Sequence, residues 1–307
     1  MSPDAVHSPQ GVLHGASFDV EDYRQILRRR WQGEAGPVNA DFDRDVDALC
    51  ALLDETQTKA TFFVTGTVAA DRPDLVRHWQ GLGHEIACHG WDHTQVWQMN
   101  RDQFRADLTR TRKALEDACG QTVRGYRAAV FSIGPDTLWA LDVLAECGFD
   151  YDSSIVPVRC PRYGIDGFDR RPALYRLPDG GRIVELPLPV SRVMGRTRPV
   201  GGGGNFRVLS LQAILQAVDE HTRGGLPFVM YCHPDELGGR KFRATDLARG
   251  LVGKGRAWML EFRSNIGRSG VPRIVRGVLA KFDFTTLCRL ADKVRDDGAE
   301  RVLGTIR

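Results

Sequence analysis

Residues 85–93 of this chain read Glu85-Ile86-Ala87-Cys88-His89-Gly90-Trp91-Asp92-His93. The apolar run predicts a short buried strand, and two histidines spaced four residues apart follow its end. If a helix begins just after the strand, this spacing places both imidazoles on one helical face, where they can bind one metal ion. Because the chain has eight histidines, the competing interpretation is a pair of surface histidines.

Carboxylates follow a second apolar run near the N-terminus. The run Gly15-Ala16-Ser17-Phe18 is succeeded by Asp19, Glu21 and Asp22. Two histidines and one carboxylate make a three-ligand site with positions left for water or substrate, which is typical of a catalytic metal rather than a structural one.

Length and composition indicate a globular enzyme. The chain has 307 residues, of which 42% are hydrophobic and 26% charged, so it can bury a large core. It lacks an apolar run of the roughly 18 residues that a membrane span needs, and its N-terminus lacks the pattern of a secretory signal. Seven cysteines are scattered without a Cys-x-x-Cys pair. They favour neither a disulfide framework nor a cysteine zinc site, and they predict reduced thiols in the cytoplasm.

The charge is unevenly distributed. The net charge is +3, but residues 240–307 carry 16 Lys and Arg against 7 Asp and Glu. The simpler interpretation is a solvated helical face. The functional interpretation is peripheral contact with an anionic membrane surface or phosphates, through arginines interspersed with apolar residues. No sequence motif supports nucleic-acid binding. The interspersed residues are Arg256, Trp258, Met259, Leu260, Phe262, Arg263, Arg268, Arg273 and Arg276.

Strand and helix patterns alternate along the chain. Repeated strand-then-helix units predict an α/β fold with parallel strands inside and helices outside, either a barrel or an open sheet. The runs Leu174–Leu177 and Arg182–Leu186, separated by Pro178-Asp179-Gly180-Gly181, predict a hairpin insertion. The glycine run 201–204 lacks the features of a nucleotide loop and predicts a flexible loop at the rim.

Further polar residues come at or just after the ends of predicted strands. Because the carboxyl ends of parallel barrel strands form one face, these residues are expected to converge with the histidines. Taken alone, Arg127 and Asp152 could form a plain ion pair, and His233 could be a packed histidine. The residues that share this placement are Asp19, Glu21, Asp22, His89, His93, Arg127, Asp152 and His233.

Together these motifs resemble the polysaccharide deacetylases, the family-four carbohydrate esterases, and most closely their branch associated with exosortase and exopolysaccharide clusters. The resemblance covers nearly the whole chain. It rests on pieces that occur in the family's order and spacing, namely Ser17-Phe18-Asp19-Val20-Glu21-Asp22-Tyr23, residues 84–93, Gly125-Tyr126-Arg127-Ala128, Tyr151-Asp152-Ser153-Ser154-Ile155, Glu185-Leu186-Pro187 and Tyr231-Cys232-His233-Pro234-Asp235-Glu236.

The resemblance implies a distorted (β/α) barrel, usually of seven strands, that binds one divalent metal ion, most commonly Zn²⁺. Residues 1–11 are polar and are expected to be loose. The resemblance implies a deacetylase barrel 12–240 and a basic helical C-terminal extension 241–307 packed on the barrel. Asp19 matches the general base, His89 and His93 the histidine ligands, and His233 the general acid. Arg127 matches the arginine that holds the catalytic aspartate, with Asp152 near it.

The first motif departs from the family pattern, in which a base and a ligand aspartate are adjacent. Here Val20 follows Asp19, so the carboxylate ligand is Glu21 or Asp22. Residues i and i+2 of an extended strand face the same side, which favours Glu21, whereas a turn would present Asp22. Two further departures are Ala129 in place of proline and Asp235 in place of tryptophan. We expect them to alter substrate contacts.

The implied function is metal-dependent removal of N-acetyl groups from an amino sugar. The partner would be a polysaccharide or a lipid-linked oligosaccharide of exopolysaccharide biosynthesis, met in the cytoplasm at the inner membrane surface. One alternative is a related C–N hydrolase that acts on a formamide or a cyclic ureide. The other is a non-catalytic glycan-binding homologue.

Overall fold

The structure is a computed structural model that describes residues 11–298 and 300–303. Apart from Gly11, the predicted loose segment 1–11 lies outside the described residues. The strands are β1 (His14–Val20), β2 (Thr61–Val64), β3 (Glu85–Cys88), β4 (Gly125–Tyr126), β5 (Tyr151–Asp152), β6 (Ala173–Arg176), β7 (Arg182–Glu185), β8 (Val190–Val193), β9 (Arg196–Pro199), β10 (Val229–Cys232), β11 (Phe284–Thr285) and β12 (Glu300–Val302).

Helices follow most of the strands, as the alternating pattern predicts. They are α1 (Tyr23–Gln32), α2 (Ala40–Glu55), α3 (Gly66–Asp71), α4 (Pro73–Gly81), α5 (Arg101–Cys119), α6 (Trp139–Glu146), α7 (Gly204–Val208), α8 (Leu211–Arg223), α9 (Gly250–Asn265), α10 (Val271–Leu279) and α11 (Leu287–Asp296). Short 3₁₀ turns lie at Val96–Gln98, Ala129–Phe131, Pro135–Thr137, Pro234–Glu236 and Arg268–Gly270.

The main sheet has parallel strands at its centre. Hydrogen bonds join them in the order β10-β1-β2-β3-β4-β5-β7, and each neighbouring pair in this series is parallel. The carboxyl ends of these strands therefore point the same way, so residues far apart in sequence meet at one face.

The glycine run closes the ring of strands, so the prediction of a flexible rim loop is wrong. The amide of Tyr231 in β10 donates to the carbonyl of Gly201 at 2.8 Å, and Gly203 donates to the carbonyl of Tyr231 at 3.2 Å. On the other side, Val200 donates to the carbonyl of Pro189, which follows β7. A β-carbon on Gly202 would lie 1.6 Å from the carbonyl oxygen of Tyr231, so glycine is required for this close approach. The α/β fold is therefore a distorted barrel.

The predicted hairpin insertion is confirmed, since β6 and β7 pair antiparallel. A second antiparallel hairpin, β8–β9, was not predicted. Its strands are half exposed and rich in arginine, so they lack the apolar alternation that indicates a strand.

The C-terminal segment is helical, but it also adds two short strands that were not predicted. Strand β11 pairs with β1, and β12 pairs with β6. Helices α10 and α11 pack on the barrel through buried faces, Val271, Ile274, Val275 and Val278 in α10 and Leu287, Leu290 and Ala291 in α11. The boundaries at 240 and 241 stay a prediction. No helix among the described residues is long and apolar enough to span a bilayer.

The core explains the positions of the elements. All seven residues of β1 are buried, because the strand lies at the centre of the sheet. Helix α5 is the longest helix among the described residues. Asn100 caps it by accepting from the amide of Gln103, and it ends at Gly120 in the left-handed conformation. Helices α1 and α3 were not predicted from the apolar pattern.

Candidate active site

Polar side chains from four strand ends meet at the carboxyl face of the barrel. Strand β1 runs through Asp19 to Val20, two residues further than the prediction, so Asp19 lies within the strand and Glu21 directly follows it. His89 follows β3, Arg127 follows β4, and His233 follows β10.

Glu21, His89 and His93 form one compact group. The Oε2 atom of Glu21 lies 3.2 Å from Nε2 of His89 and 3.0 Å from Nε2 of His93. The three candidate ligand atoms all lie within 4.8 Å of one another. His89 is buried, and the other two are mostly buried. Two imidazole nitrogens and a carboxylate oxygen are the donors that bind catalytic zinc.

Asp22 is the member of the predicted ligand set that the structure does not bring to this group. Its Oδ1 accepts from the amide of Arg24 at 2.9 Å, and its Oδ2 accepts from the amide of Asn39 at 2.7 Å. Asp22 therefore caps helix α1 and ties it to the start of α2.

The two histidines are presented by a loop, so the expectation of a helix just after the strand is wrong. Residues 89–95 are not helical. Gly90 has a φ of +72°, and His93 has a φ of +65°, which is uncommon for a residue other than glycine. The left-handed turn at His93 directs its ring back towards Glu21.

This loop is held by contacts with distant elements. The amide of Trp91 donates to both oxygens of Asp107 in α5, at 3.2 and 3.1 Å. The Trp91 ring packs against Gly66, where a β-carbon would lie 2.3 Å from the ring, and the guanidinium of Arg110 lies 3.4 Å from the ring centroid. The loop conformation is thus fixed by α3 and α5.

The tautomer of His89 provides a test of whether this group suits a metal ion. Its Nδ1 lies 2.8 Å from the main-chain carbonyl oxygen of Arg127, which only accepts, so Nδ1 carries the hydrogen. In the neutral ring Nε2 then has a lone pair, and it faces a carboxylate oxygen of Glu21 that is buried and has no hydrogen-bond partner among the described residues. Two acceptors are stable at this distance when a cation lies between them. The residues therefore fit a metal ion.

Charge effects keep Glu21 ionised. Burial alone would raise the pKa of Glu21, but the neighbouring imidazoles, chiefly that of His93, hold it well below its usual range. Burial opposes protonation of His89, while the charge of Asp19 and the contact with Glu21 raise its pKa. The site therefore offers a deprotonated carboxylate at neutral pH.

Arg127 pairs with Asp19, not with Asp152. Its Nη1 donates to Oδ1 of Asp19 at 2.8 Å and to Oγ of Ser17 at 2.9 Å. Its other nitrogens donate to the carbonyl and hydroxyl of Ser153. The guanidinium is fully buried, and its central carbon lies 4.2 Å from the centroid of the Phe63 ring. All these contacts orient Asp19 towards the histidines. Ser17 and Ser153 were not singled out from the sequence.

Asp152 belongs to a buried carboxyl pair behind Arg127. Its oxygens accept from the hydroxyl and amide of Ser154, whose hydroxyl oxygen accepts from the amide of Ala128. Burial and the neighbouring Asp152 raise the pKa of Glu185 well above its usual range, which favours one shared proton over two charges in this pair. Asp152 thus supports the turn that carries Arg127. Glu185 lay in a recognised motif but was not among the predicted site residues.

His233 approaches the same group at the other carboxylate oxygen of Glu21. Its Nε2 lies 3.7 Å from Oε1 of Glu21, and its Nδ1 lies 3.2 Å from Oε2 of Glu236. Burial alone would lower the pKa of His233, but the contact with Glu236 and the charge of Glu21 raise it to about 10. Glu236 was not predicted as a site residue, although it lies three residues after His233.

The turn after Arg127 contains backbone strain. Val130 has a φ of +56° and a ψ of +24°, and Phe131 has a φ of +52°. A β-branched residue in this region is a clear outlier, and such strain clusters at functional sites.

Asp235, one of the two departures from the family pattern, pairs with Arg268. The Asp235 carboxylate lies 2.5 Å from a guanidinium nitrogen of Arg268, and its carbonyl also accepts from this arginine. Asp235 therefore anchors the C-terminal segment beside His233. Ala129, the other departure, is buried in the 3₁₀ turn.

The curated relatives that the chain matches cover only part of it. A chitooligosaccharide deacetylase from Bradyrhizobium sp. (strain ANU 289) is 29% identical over 126 residues, which are 39% of this chain and 55% of that protein. A second, from Sinorhizobium fredii, is 35% identical over 94 residues, 30% of this chain and 41% of that protein. The chain thus spans about half the length of the curated relatives it matches.

The likeness to solved structures extends over the whole fold. A Mycobacterium smegmatis protein assigned as a polysaccharide deacetylase aligns with a TM-score of 0.63 and 23% identity, covering 99% of this chain and 98% of that one. PuuE allantoinase aligns with a TM-score of 0.58 and 15% identity, covering 95% and 93%. At these identities the likeness concerns the fold.

Two family models match the chain in succession. Residues 35–151, a segment that includes His89, His93 and Arg127, match the polysaccharide deacetylase model. Residues 153–292 match a domain of unknown function, DUF3473, which includes Glu185 and His233. Asp19 and Glu21 precede both matches, and the barrel brings them to the same site. Residues 35–151 are therefore similar to the polysaccharide deacetylases, and residues 153–292 to DUF3473.

Proposed function

We propose that this protein is a metal-dependent hydrolase that removes N-acetyl groups from an amino sugar in a polysaccharide or a lipid-linked oligosaccharide. The observation that carries the proposal is the group of Glu21, His89 and His93, in which a buried carboxylate oxygen faces two imidazole nitrogens at 3.0 and 3.2 Å. The names of relatives that act on chitooligosaccharides support the substrate class.

Glu21, His89 and His93 would hold one divalent ion, and their donor set favours zinc. When bound, such an ion lowers the pKa of water to about 7 and polarises a carbonyl group. The carbonyl of Arg127 keeps the His89 ring oriented through Nδ1, which is the usual support for a ligand histidine.

Asp19 is proposed as the general base. Arg127 holds Oδ1 of Asp19, so the other oxygen, Oδ2, remains to accept a proton from the attacking water. The buried guanidinium also fixes the orientation of the carboxylate. A positioned base of this kind typically contributes about 10² to 10⁴ in rate.

His233 is proposed as the general acid. An amine is a poor leaving group, so its nitrogen must receive a proton as the C–N bond breaks. Glu236 holds Nδ1 of His233 and leaves Nε2 directed at the site. Because Glu236 and Glu21 raise the pKa of this imidazole, it carries the proton it must deliver.

The amide of Val130 is proposed to stabilise the oxyanion. Acyl transfer needs a donor aimed at the developing negative charge, and a backbone amide serves without reorganisation. The left-handed conformation of Val130 turns the backbone after Arg127. The network of Asp152, Glu185 and Ser154 beneath it would keep that strained turn in place.

We further propose that the substrate belongs to exopolysaccharide synthesis and is met in the cytoplasm, beside the inner membrane. The support is the set of seven cysteines, all unpaired, which suits a reducing compartment.

The test is release of acetate. Purified protein loaded with Zn²⁺ would be incubated with N-acetylated oligosaccharides, and free acetate and free amine would be measured together. Equal amounts of both are expected, with Asp19→Asn as the inactive control. Formate or ureide products would instead identify another C–N hydrolase. Glycan binding without turnover by fully metal-loaded protein would contradict the proposal and leave a binding module.

A further inference from the structure

Helix α9 exposes an apolar stripe that no other element of the described structure covers. At 3.6 residues per turn the side chains of the stripe span an arc of about 120°. Single exposed apolar residues are ordinary, but a contiguous set on one helix marks an interaction surface. The stripe consists of Leu251, Val252, Trp258, Met259, Phe262 and the C-cap residue Ile266, whose exposed fractions are 91%, 73%, 58%, 51%, 55% and 48%.

Two aromatic rings form the centre of this stripe. Trp258 and Phe262 lie one turn apart, with ring centroids 5.8 Å apart and planes inclined by 16°. Their bodies are apolar, and the indole nitrogen of Trp258 supplies a polar edge. Such residues are enriched where an apolar phase meets water.

Cations border the stripe on both sides. By helical geometry Lys254 lies at one edge, and Arg256 and Arg263 lie at the other. All three are exposed, and none has an ion-pair partner among the described residues. The one acidic residue of α9, Glu261, is turned inward and accepts from the amides of Ala244 and Thr245. The outer face is therefore purely basic and apolar.

The opposite face fixes the helix to the protein. Ala257 is fully buried and packs, with Leu260, against a small cluster that includes Leu27 and Leu247. The side chain of Asn265 accepts from the amide of Phe242 at 2.8 Å and donates to its carbonyl at 3.0 Å. Helix α9 is thus a docked element whose outer face is left unpartnered.

We propose that α9 is an interfacial helix that binds an anionic lipid surface. An apolar stripe with aromatic residues, edged by Lys and Arg, lies in the plane of a membrane with its apolar side among the acyl chains. The basic edges then meet the negative headgroups. Aliphatic Leu251, Val252 and Met259 suit acyl chains, whereas a glycan platform would need polar groups beside the rings. This proposal does not depend on the proposed catalytic activity.

The position of α9 connects the surface to the site. Arg207 donates to the carbonyl of Ser264 near the end of α9, and its Nε lies 3.6 Å from Glu236, which holds His233. The membrane face and the mouth of the barrel are therefore joined by one short chain of contacts.

The basic segment as a whole is not the binding surface. Arg268 is only 7% exposed and pairs with Asp235, and Arg276 pairs with Glu55. The sequence prediction, which counted these arginines together, is too broad. Arg273 is exposed but lies on α10, away from the stripe.

The test is co-sedimentation of the full chain with vesicles. Binding is expected to vesicles of phosphatidylcholine with phosphatidylglycerol and not to phosphatidylcholine alone. It should weaken as NaCl rises from about 0.05 M to about 0.5 M. Trp258→Ser combined with Phe262→Ser should lower the partition coefficient about tenfold or more, since both rings leave the lipid. Arg256→Glu combined with Arg263→Glu should lower it to a similar extent.

Two matched controls test whether binding depends on α9 itself or on any exposed charge or apolar side chain. Met194→Ser removes an apolar side chain that is 92% exposed in the turn of the β8–β9 hairpin, and Arg273→Glu reverses an exposed charge on α10. Both should bind as the wild type does. Lipids brominated on their acyl chains should quench Trp fluorescence in the wild type and much less in Trp258→Phe.

Three outcomes would overturn the proposal. One is the absence of binding to anionic vesicles at low salt, and another is equal loss in the α9 and control variants. The third is that the protein does not bind vesicles but forms a concentration-dependent dimer, which the Trp258 and Phe262 substitutions abolish. That result would make the stripe a contact with a second copy of the chain.

Discussion

The imidazole of His89 donates a hydrogen bond from Nδ1 to the carbonyl oxygen of Arg127, at 2.8 Å and across 38 positions of the chain. Arg127 in turn donates to Asp19. One residue therefore orients a proposed metal ligand through its backbone and the proposed base through its side chain. The metal-binding and proton-transfer parts of the site are built on the same turn.

His89→Ala and His93→Ala should each abolish bound metal and activity. Losing one of three protein ligands leaves too few to hold an ion in an open site. Metal content by plasma mass spectrometry, measured beside the circular dichroism of each variant, would check this. The exposed His78, changed to Ala, should retain full metal. Full occupancy in either site variant would remove the two histidines as the metal site.

Glu21→Ala and Asp22→Ala should differ in their effect on metal binding. Glu21→Ala should lose the metal, because its carboxylate faces both histidines. Asp22→Ala should keep the metal but lower the free energy of unfolding by about 1 kcal/mol, the usual cost of losing a helix N-cap. Metal content and urea unfolding would be measured on both. If Asp22→Ala lost the metal while remaining folded, Asp22 would be the ligand.

Asp19→Asn should retain metal yet lower turnover by about 10² to 10⁴, since the amide cannot accept the proton from water. The asparagine oxygen can still accept from Arg127, so the fold should persist. His233→Ala should lose a comparable factor, and a substrate with a more acidic leaving amine should partly restore it. Asp47→Asn, at an exposed position of α2, is the matched control. Near-normal turnover by Asp19→Asn would reject the proposed base.

The convergence of the site could be predicted from sequence because it follows from strand direction alone. Parallel strands have their carboxyl ends on one face, so polar residues near the ends of β1, β3, β4 and β10 had to lie near one another. The choice between Glu21 and Asp22 needed only one further fact, that α1 begins at Tyr23 and uses Asp22 as its cap. This choice depends only on local structure, but it could not be settled from the sequence because the apolar pattern did not predict helix α1.

Features that depend on distant contacts could not be predicted. The loop of His93 takes its shape from Trp91, Gly66 and Asp107, which no local pattern connects. The glycine run was misinterpreted because four glycines are typical of a flexible loop, whereas here the missing side chains permit contact with β10. The partner of Arg268, and the contacts of Arg127 with Ser17 and Ser153, likewise became known only from the structure.

Acid should destabilise the fold through His14. Burial, followed by the charge of His221, lowers the pKa of His14 from 6.5 to about 4. Its Nδ1 accepts from the amide of Phe228, which only a ring without a proton on that atom can do. Between these values the unfolded chain binds a proton that the folded chain does not. Stability is therefore complete above about pH 6.5 and falls as the pH drops towards 4.

For His14 alone the loss between pH 7 and pH 5 should be about 2 kcal/mol. Urea unfolding at the two pH values would measure it. His14→Asn, which keeps an acceptor for Phe228, should show a smaller loss than the wild type, whereas exposed His78→Asn should match the wild type. Equal losses in all three proteins would show that His14 does not contribute to the acid response.

Gly202→Ala should destabilise the barrel far more than Gly204→Ala in the same glycine run. A β-carbon at Gly202 would meet the carbonyl oxygen of Tyr231 at 1.6 Å, so β10 must move away from the bridging segment. At Gly204 the nearest heavy atom is the flexible end of Arg207, at 3.4 Å. We expect a cost of about 3 kcal/mol or more at Gly202, in the range of overpacking and strain, and little change at Gly204.

Because β10 leads into His233, Gly202→Ala should also lower turnover while leaving the metal bound to Glu21, His89 and His93. Thermal unfolding, metal content and acetate release on both variants would test this. Equal melting temperatures for the two would mean that the glycine run does not close the barrel in solution.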